Sequence, residues 1–422
     1  MVTIEAPLAA ALEWLFGTRA PAAVETKARE VMLDTFGCVL AARRHPEVTA
    51  LEQALEAADP GSASSAAAFF AAAACWDEAC EGLARAHGRP GLAVLGACRA
   101  LARHKPYSLD EVLAAYLTGY EIGGRMGESL RIGPGMHVDG AWPCFGVATA
   151  VVRLLGGNAA QALAAIRIAA CQMPYSLYLP VAAGANARNT YLSHSAQLGM
   201  LAASAALGGI AAPAGAVEEL RSRALAGAPP GPPVAPPGEW LIADTYLKPY
   251  AAVRHVHYGA AAAQALRADI GSRLKEIRRI KLSTYAEALA YCGNRAPKSA
   301  IQAQFSLSYG VACMLATGEL VPDSYASQFL GNPEIKRLEE KTELEESTSL
   351  TRAGKRGATL VIELDAGKFE YTVDRVTGDP ALPMTRTELL AKFARYAGLA
   401  PEKGKAFLEA PGGGRFAPLS PA

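Results

Sequence analysis

Apolar side chains recur every three to four positions through most of the first half of the chain, the period of an amphipathic helix. The stretch "AAVETKAREVMLDTFGCVLAARR" (22–44) follows it throughout. "SLDEVLAAYLTGYEIGGRMGESL" (108–130) opens with Ser108 and has Glu111 three residues later, the pattern of a capping box. "FGVATAVVRLLGG" and "SAQLGMLAASAALGG" are apolar on most sides, rich in small residues, and end in glycine. Such helices belong inside a bundle. The pattern predicts an all-helical domain over 1–245. The proline-rich "AGAPPGPPVAPPGEW" (226–240) reads as a semi-rigid, extended connector. Beyond it the period changes. "EIRRIKLSTYAE" alternates as a strand does, and "GATLVIELDAGKFEYTVD" (357–374) reads as a hairpin turning at Asp365-Ala366-Gly367. One helix, "SAIQAQFSLSYGVACMLATG", is predicted between them. Residues 246–379 are therefore expected to form a smaller α+β domain. "TRTELLAKFARYAG" (385–398) is helical again, so 380–422 is expected to return to the first domain, its last dozen Gly/Pro-rich residues frayed. The fold class is mainly α with a smaller α+β domain.

Composition narrows the function classes. The chain has 422 residues, 51% of them hydrophobic, with 41 Lys plus Arg against 40 Asp plus Glu. A near-neutral balance argues against a nucleic-acid or acidic-membrane partner. The eight cysteines form no C-x-x-C pair and no zinc spacing, and read as buried thiols of a reducing compartment. The N-terminus lacks the pattern of a signal peptide. A cytoplasmic protein without a membrane span is the expectation.

Candidate chemistry sits in a few loops. "WDEACEGLARAHGRPG" (76–91) packs Asp77, Glu78, Glu81, Arg85, His87 and Arg89 into a short, otherwise alanine-rich stretch. His87 and His137 each lie in a Gly/Pro-bearing loop just before a small-residue helix. Free N–H groups at a helix start would welcome a carboxylate, and an imidazole can exchange a proton near neutral pH. Either histidine could equally be a helix cap. His45 and His104 fit capping or surface roles at helix ends. "DTYLKPYAAVRHVHYGAA" (244–261) carries Lys248, Arg254, His255 and His257 at the domain junction. "NARNTYLSHSAQLG" (186–199) offers Arg188 as a carboxylate clamp. No dinucleotide, P-loop, nucleophile-elbow or H-E-x-x-H motif is present.

The order of these stretches resembles the MmgE/PrpD family, whose members include 2-methylcitrate dehydratase, cis-aconitate decarboxylase and iminodisuccinate epimerase. Besides 76–91, the likeness is carried by "GMHVDGAWPCFGVATAVVRLLGG", "LKPYAAVRHVHYGAAAAQAL", "APKSAIQAQFSLSYGVACML" and "TGDPALPMTRTELLAKF". The resemblance implies a large helical domain with an α+β lid, a homodimer, a small-molecule carboxylate substrate, and no metal or organic cofactor. Position by position, it points to Asp77, His87, His137, Lys248 and Tyr309 as catalytic, and Arg188, Glu81, Trp142 and Arg254 as contacts to substrate. Glu81, Arg188-Asn189, Val253 and the Val-Asp-Gly-Ala-Trp loop after His137 depart from the common pattern. These departures argue against cis-aconitate decarboxylation, and Glu81 and Trp142 suggest a substrate less anionic at one end.

The implied chemistry is removal of a proton from the carbon next to a carboxylate. Lys248 and Arg188 would steady the developing negative charge. His137 is expected as the base, and His87, held by Asp77, as its acid partner. Dehydration of a hydroxy polycarboxylate is the preferred outcome. Epimerisation and decarboxylation are alternatives on the same scaffold, as is a non-catalytic carboxylate-binding protein.

Overall fold

A computed structural model describes residues 3–365 and 367–419. The helices of the helical part that frame the site include α1 (Ala22–Ala42), α2 (Ala63–Cys75), α3 (Gly91–Ala102), α4 (Leu109–Ser129), α5 (Pro143–Leu154) and α6 (Tyr191–Leu207). Helix α5 lies at the centre and packs on α3, α4 and α6. Small residues make this possible. A Cβ on Gly119 would come 2.6 Å from the Gly146 carbonyl oxygen, so α4 and α5 touch backbone to backbone only because both positions are glycine. The capping box at Ser108 and Glu111 forms as its sequence predicts.

The second part holds α7 (Val256–Ile270), α8 (Leu307–Thr317) and a four-stranded sheet. Strand β3 (Ile277–Thr284) runs parallel to β4 (Thr342–Glu346) and antiparallel to β5 (Ala358–Leu364), which forms a hairpin with β6 (Gly367–Val373). The predicted hairpin is therefore present; Ala366, in its turn, lies outside the described residues. The alternation in β5 buries Ala358, Leu360, Ile362 and Leu364 on one face, against α7. The helix predicted over 299–318 is broken in two, Ala300–Gln304 and α8. Ser306 stops the first and caps the second, its hydroxyl accepting from the Tyr309 N–H.

A two-stranded ribbon, β1 (Gly82–Leu83) paired with β2 (Thr245–Tyr246), ties the 76–91 loop to the segment leading to Lys248. Helix α9 (Arg386–Ala397), with a capping box at Thr385, packs on α1. Lys392 on α9 donates to Asp34 Oδ1 on α1 at 2.5 Å and to the Ala79 carbonyl at 2.8 Å.

Two sequence expectations need correction. The chain end does not fray over 412–416: Leu109 and Asp110 N–H groups donate to Gly414 and Gly412 carbonyls, and Phe416 is buried. The proline-rich connector is tied down at its end. The buried Arg125 guanidinium reaches Ala235, Pro236 and Glu239 carbonyls and holds it against α4. Of the eight cysteines, Cys171 is exposed; the other seven are buried. No described helix is long and apolar enough to cross a membrane.

Candidate active site

A cavity of about 620 Å³ opens between the 76–91 loop, the 130–142 loop, the 246–255 segment and the sheet part of the chain. Its inner wall is a buried charge cluster. Glu78 Oε1 accepts from Arg89 at 2.7 Å and also pairs with Arg188; its Oε2 takes Lys248 at 2.8 Å. Arg89 bridges onward to Asp139, and Arg188 Nη1 lies 3.9 Å from the same Asp139 oxygen. Three cations thus meet two carboxylates, all nearly solvent-free. The excess positive charge, in a low-dielectric wall, suits an anionic guest. Burial, with Arg89 and Arg188 nearby, lowers the Lys248 pKa to about 8.

Local geometry sets these groups. Glu78 and His87 are the only non-glycine residues with positive φ among those described, at 52° and 55°. Left-handed backbone costs roughly 1 kcal/mol or more for such residues. At Glu78 three cationic contacts offset it. At His87 a tight turn imposes it: the Leu83 and Gly88 backbones bond each other, and His87 N–H donates to the Ala84 carbonyl. Gly88 is required because the Trp142 ring packs where a Cβ would stand, 2.5 Å away.

His137 is fixed by its own loop. Its N–H donates to the Ser176 carbonyl at 2.9 Å, and its carbonyl accepts the Ser176 hydroxyl at 2.7 Å. Its Nδ1 accepts the Asp139 N–H at 3.2 Å. The neutral ring therefore carries its proton on Nε2. Burial lowers its pKa. The His87 ring has no hydrogen-bond partner among the described residues and stands open to the cavity. Desolvation by the surrounding walls, then Arg131 and Arg356, lowers its pKa to about 4. A third imidazole completes the site. His255 Nδ1 lies 2.6 Å from the Tyr285 hydroxyl, and burial foremost pulls its pKa down to about 3. All three rings are held neutral at pH 7.

An aromatic row spans the cavity. His137 stacks on Tyr178, Tyr178 meets Tyr291 edge-on at 5.7 Å, and Tyr291 stacks on His255. It joins the helical part to the sheet part.

Of the residues singled out by sequence, His87, His137, Lys248, Trp142 and Arg254 line this cavity. Four do not. Asp77 does not hold His87: its Oδ1 takes His45 Nε2 at 2.7 Å, because the chain turns sharply at Glu78 and leaves Asp77 facing the start of the helix after His45. Glu81 is fully buried behind the wall, where Oε1 accepts the Gly91 N–H at the start of α3. Burial raises its pKa to about 8. It puts no charge into the cavity, so the inference of a less anionic substrate end does not stand on it. Arg188 sits behind Glu78 as its counter-ion. The Tyr309 hydroxyl donates to the Ser324 carbonyl at 2.5 Å, away from the cavity. Arg254 lines the wall but is paired with Asp379. His257, of unassigned role in the sequence, bonds Ala252 and Arg254 and is structural.

Sequence reasoning gave no site role to Glu78, Arg89 or Asp139, and left the role of His255 open. Glu78 and Arg89 do stand in the charged stretch that drew attention, but nothing local distinguishes them from surface charges. Among the described residues no group of three or more His, Cys, Asp or Glu is placed to hold a metal ion.

Comparison with known proteins agrees with this layout. Residues 8–223 match the MmgE/PrpD N-terminal domain and residues 250–410 the MmgE/PrpD C-terminal domain. A search of curated proteins finds no match. With both domain models matched over most of its length, this chain belongs to the MmgE/PrpD family.

Proposed function

We propose that the protein is a lyase that removes a proton from the carbon next to a carboxylate, most favourably a dehydratase of a hydroxy polycarboxylate. The family generally comprises lyase-type enzymes. The observation that carries the reading is the buried cluster of Lys248, Arg89, Arg188, Glu78 and Asp139, facing a cavity edged by three neutral imidazoles.

Lys248 and Arg89 receive the reacting carboxylate and stabilise the enediolate that develops on proton loss. Glu78 and Asp139 hold both cations in place. The hydrogen bond at His137 Nδ1 favours a role opposite to the one expected from the sequence. With its proton on Nε2, neutral His137 is a hydrogen-bond donor, suited to bond a carboxylate oxygen or a departing hydroxyl, which leaves as water with the proton that the base has taken up. His87, neutral and unpartnered, is the better base. Binding of an anion would offset the repulsion of Arg131 and Arg356 and raise its basicity. Departure of a β-hydroxyl gives a dehydratase; return of the proton to the other face would give an epimerase.

Proton NMR in D2O with a panel of di- and tricarboxylates and hydroxy acids tests this. New vinyl signals with no carbon lost mean dehydration. Loss of an α-proton signal without an alkene means epimerisation. Thermal stabilisation by a carboxylate with neither change would support a binding protein instead.

A further inference from the structure

Five cationic side chains line the cavity: Arg89, Arg131, Lys248, Arg254 and Arg356. Three of them have a bonded carboxylate, namely Arg89 with Glu78 and Asp139, Lys248 with Glu78, and Arg254 with Asp379. Among the described residues Arg131 and Arg356 have none. Arg131 Nη1 donates only to the Arg85 carbonyl, at 3.0 Å. Arg356 has Glu287 as its nearest carboxylate, at 3.8 Å, beyond hydrogen-bond length. Both are half-buried, whereas the inner cations are buried.

We propose that Arg131 and Arg356, one from the loop after α4 and one from the segment before β5, form a second anion subsite that takes a distal carboxylate of the substrate. The proposal rests on the carboxylate reading above. A guanidinium that faces a cavity without a bonded counter-ion is a fork open to a carboxylate. The two come from opposite parts of the chain, so a ligand held by Lys248 and Arg89 at one end and by this pair at the other would span the cavity. His87 lines the same cavity, within the field of both arginines. Glu287 lines the same cavity and is the one acidic group that competes for Arg356.

The test is titration calorimetry of the full chain with tricarballylate, which has three carboxylates and no hydroxyl, and with butyrate, which has one. The wild type should bind tricarballylate at least about tenfold tighter. Arg131→Gln and Arg356→Gln should each weaken tricarballylate about tenfold and leave butyrate within about twofold. Lys248→Met should weaken both ligands. Arg131→Lys and Arg356→Lys keep the charge without the fork and should bind tricarballylate with intermediate affinity; they decide the matter if a glutamine variant fails to fold. Parallel loss of both ligands in the arginine variants, or loss of neither, overturns the subsite. Equal wild-type affinity for the two ligands, with Lys248→Met weakening both, overturns the subsite and leaves the carboxylate reading standing. Binding of neither ligand to the wild type overturns both.

Discussion

Lys248 and Glu78 stand 170 residues apart and meet twice: the Lys248 Nζ donates at 2.8 Å to the Glu78 carbonyl oxygen and at 2.8 Å to its Oε2. The β1–β2 ribbon brings them together, and the left-handed backbone at Glu78 turns its carbonyl and carboxylate to the same ammonium. Replacing either partner should have very different effects. Lys248→Met leaves Glu78 with Arg89 and Arg188, so the melting temperature should change by only a few degrees while kcat/KM falls about 100-fold or more. Glu78→Ala strands the fully buried Arg188 and should cost roughly 3–5 kcal/mol of stability. Steady-state kinetics beside thermal unfolding separates the two. Equal destabilisation by both variants would make Lys248 a structural group.

The pH profile of kcat/KM should be a bell. Its acid limb lies near pH 4, where His87 gains a proton and ceases to be a base. Its alkaline limb lies near pH 8, where Lys248 loses the charge that holds the carboxylate. Lys248→Arg should shift the alkaline limb upward and leave the acid limb in place. A profile flat from pH 6 to 10 would remove Lys248 from the mechanism.

Glu81 links stability to pH. Its folded value of about 8 lies above the ordinary glutamate value of 4.5. Between these values the folded chain holds more protons than the unfolded one, so Glu81 makes stability fall as pH rises through that window. Glu81→Gln can still accept the Gly91 N–H and should flatten this slope while preserving activity. Melting temperatures from pH 5 to 8 decide it. An unchanged slope in the variant would contradict the assignment.

Tyr309 separates a structural hydroxyl from a catalytic one. Tyr309→Phe leaves the Ser324 carbonyl without its donor and should cost about 1–3 kcal/mol. Its kcat should stay within about twofold. A loss of 100-fold at unchanged stability would return Tyr309 to the reacting groups.

Local signals in the sequence carried far. The capping box at Ser108 and the β5–β6 hairpin need only neighbours within a few residues, and both form. The loops of His87, His137 and Lys248 were legible because an isolated charge beside Gly and Pro is conspicuous in an alanine-rich chain. Pairings were not legible. Asp77 meets His45, and Arg356 comes to His87 from the far end of the chain. Such contacts are set by tertiary packing, which no spacing in the sequence records. The tautomer of His137 is a further case, since it depends on one backbone N–H whose direction only the folded loop fixes.

The most direct measurement is deuterium wash-in from D2O at the carbon next to the carboxylate, followed by NMR for the wild type and for His87→Gln. It uses whichever member of the carboxylate panel the wild type turns over. The account predicts incorporation by the wild type and a loss of at least about 100-fold in His87→Gln, with the melting temperature unchanged. Incorporation by His87→Gln at the wild-type rate would contradict it.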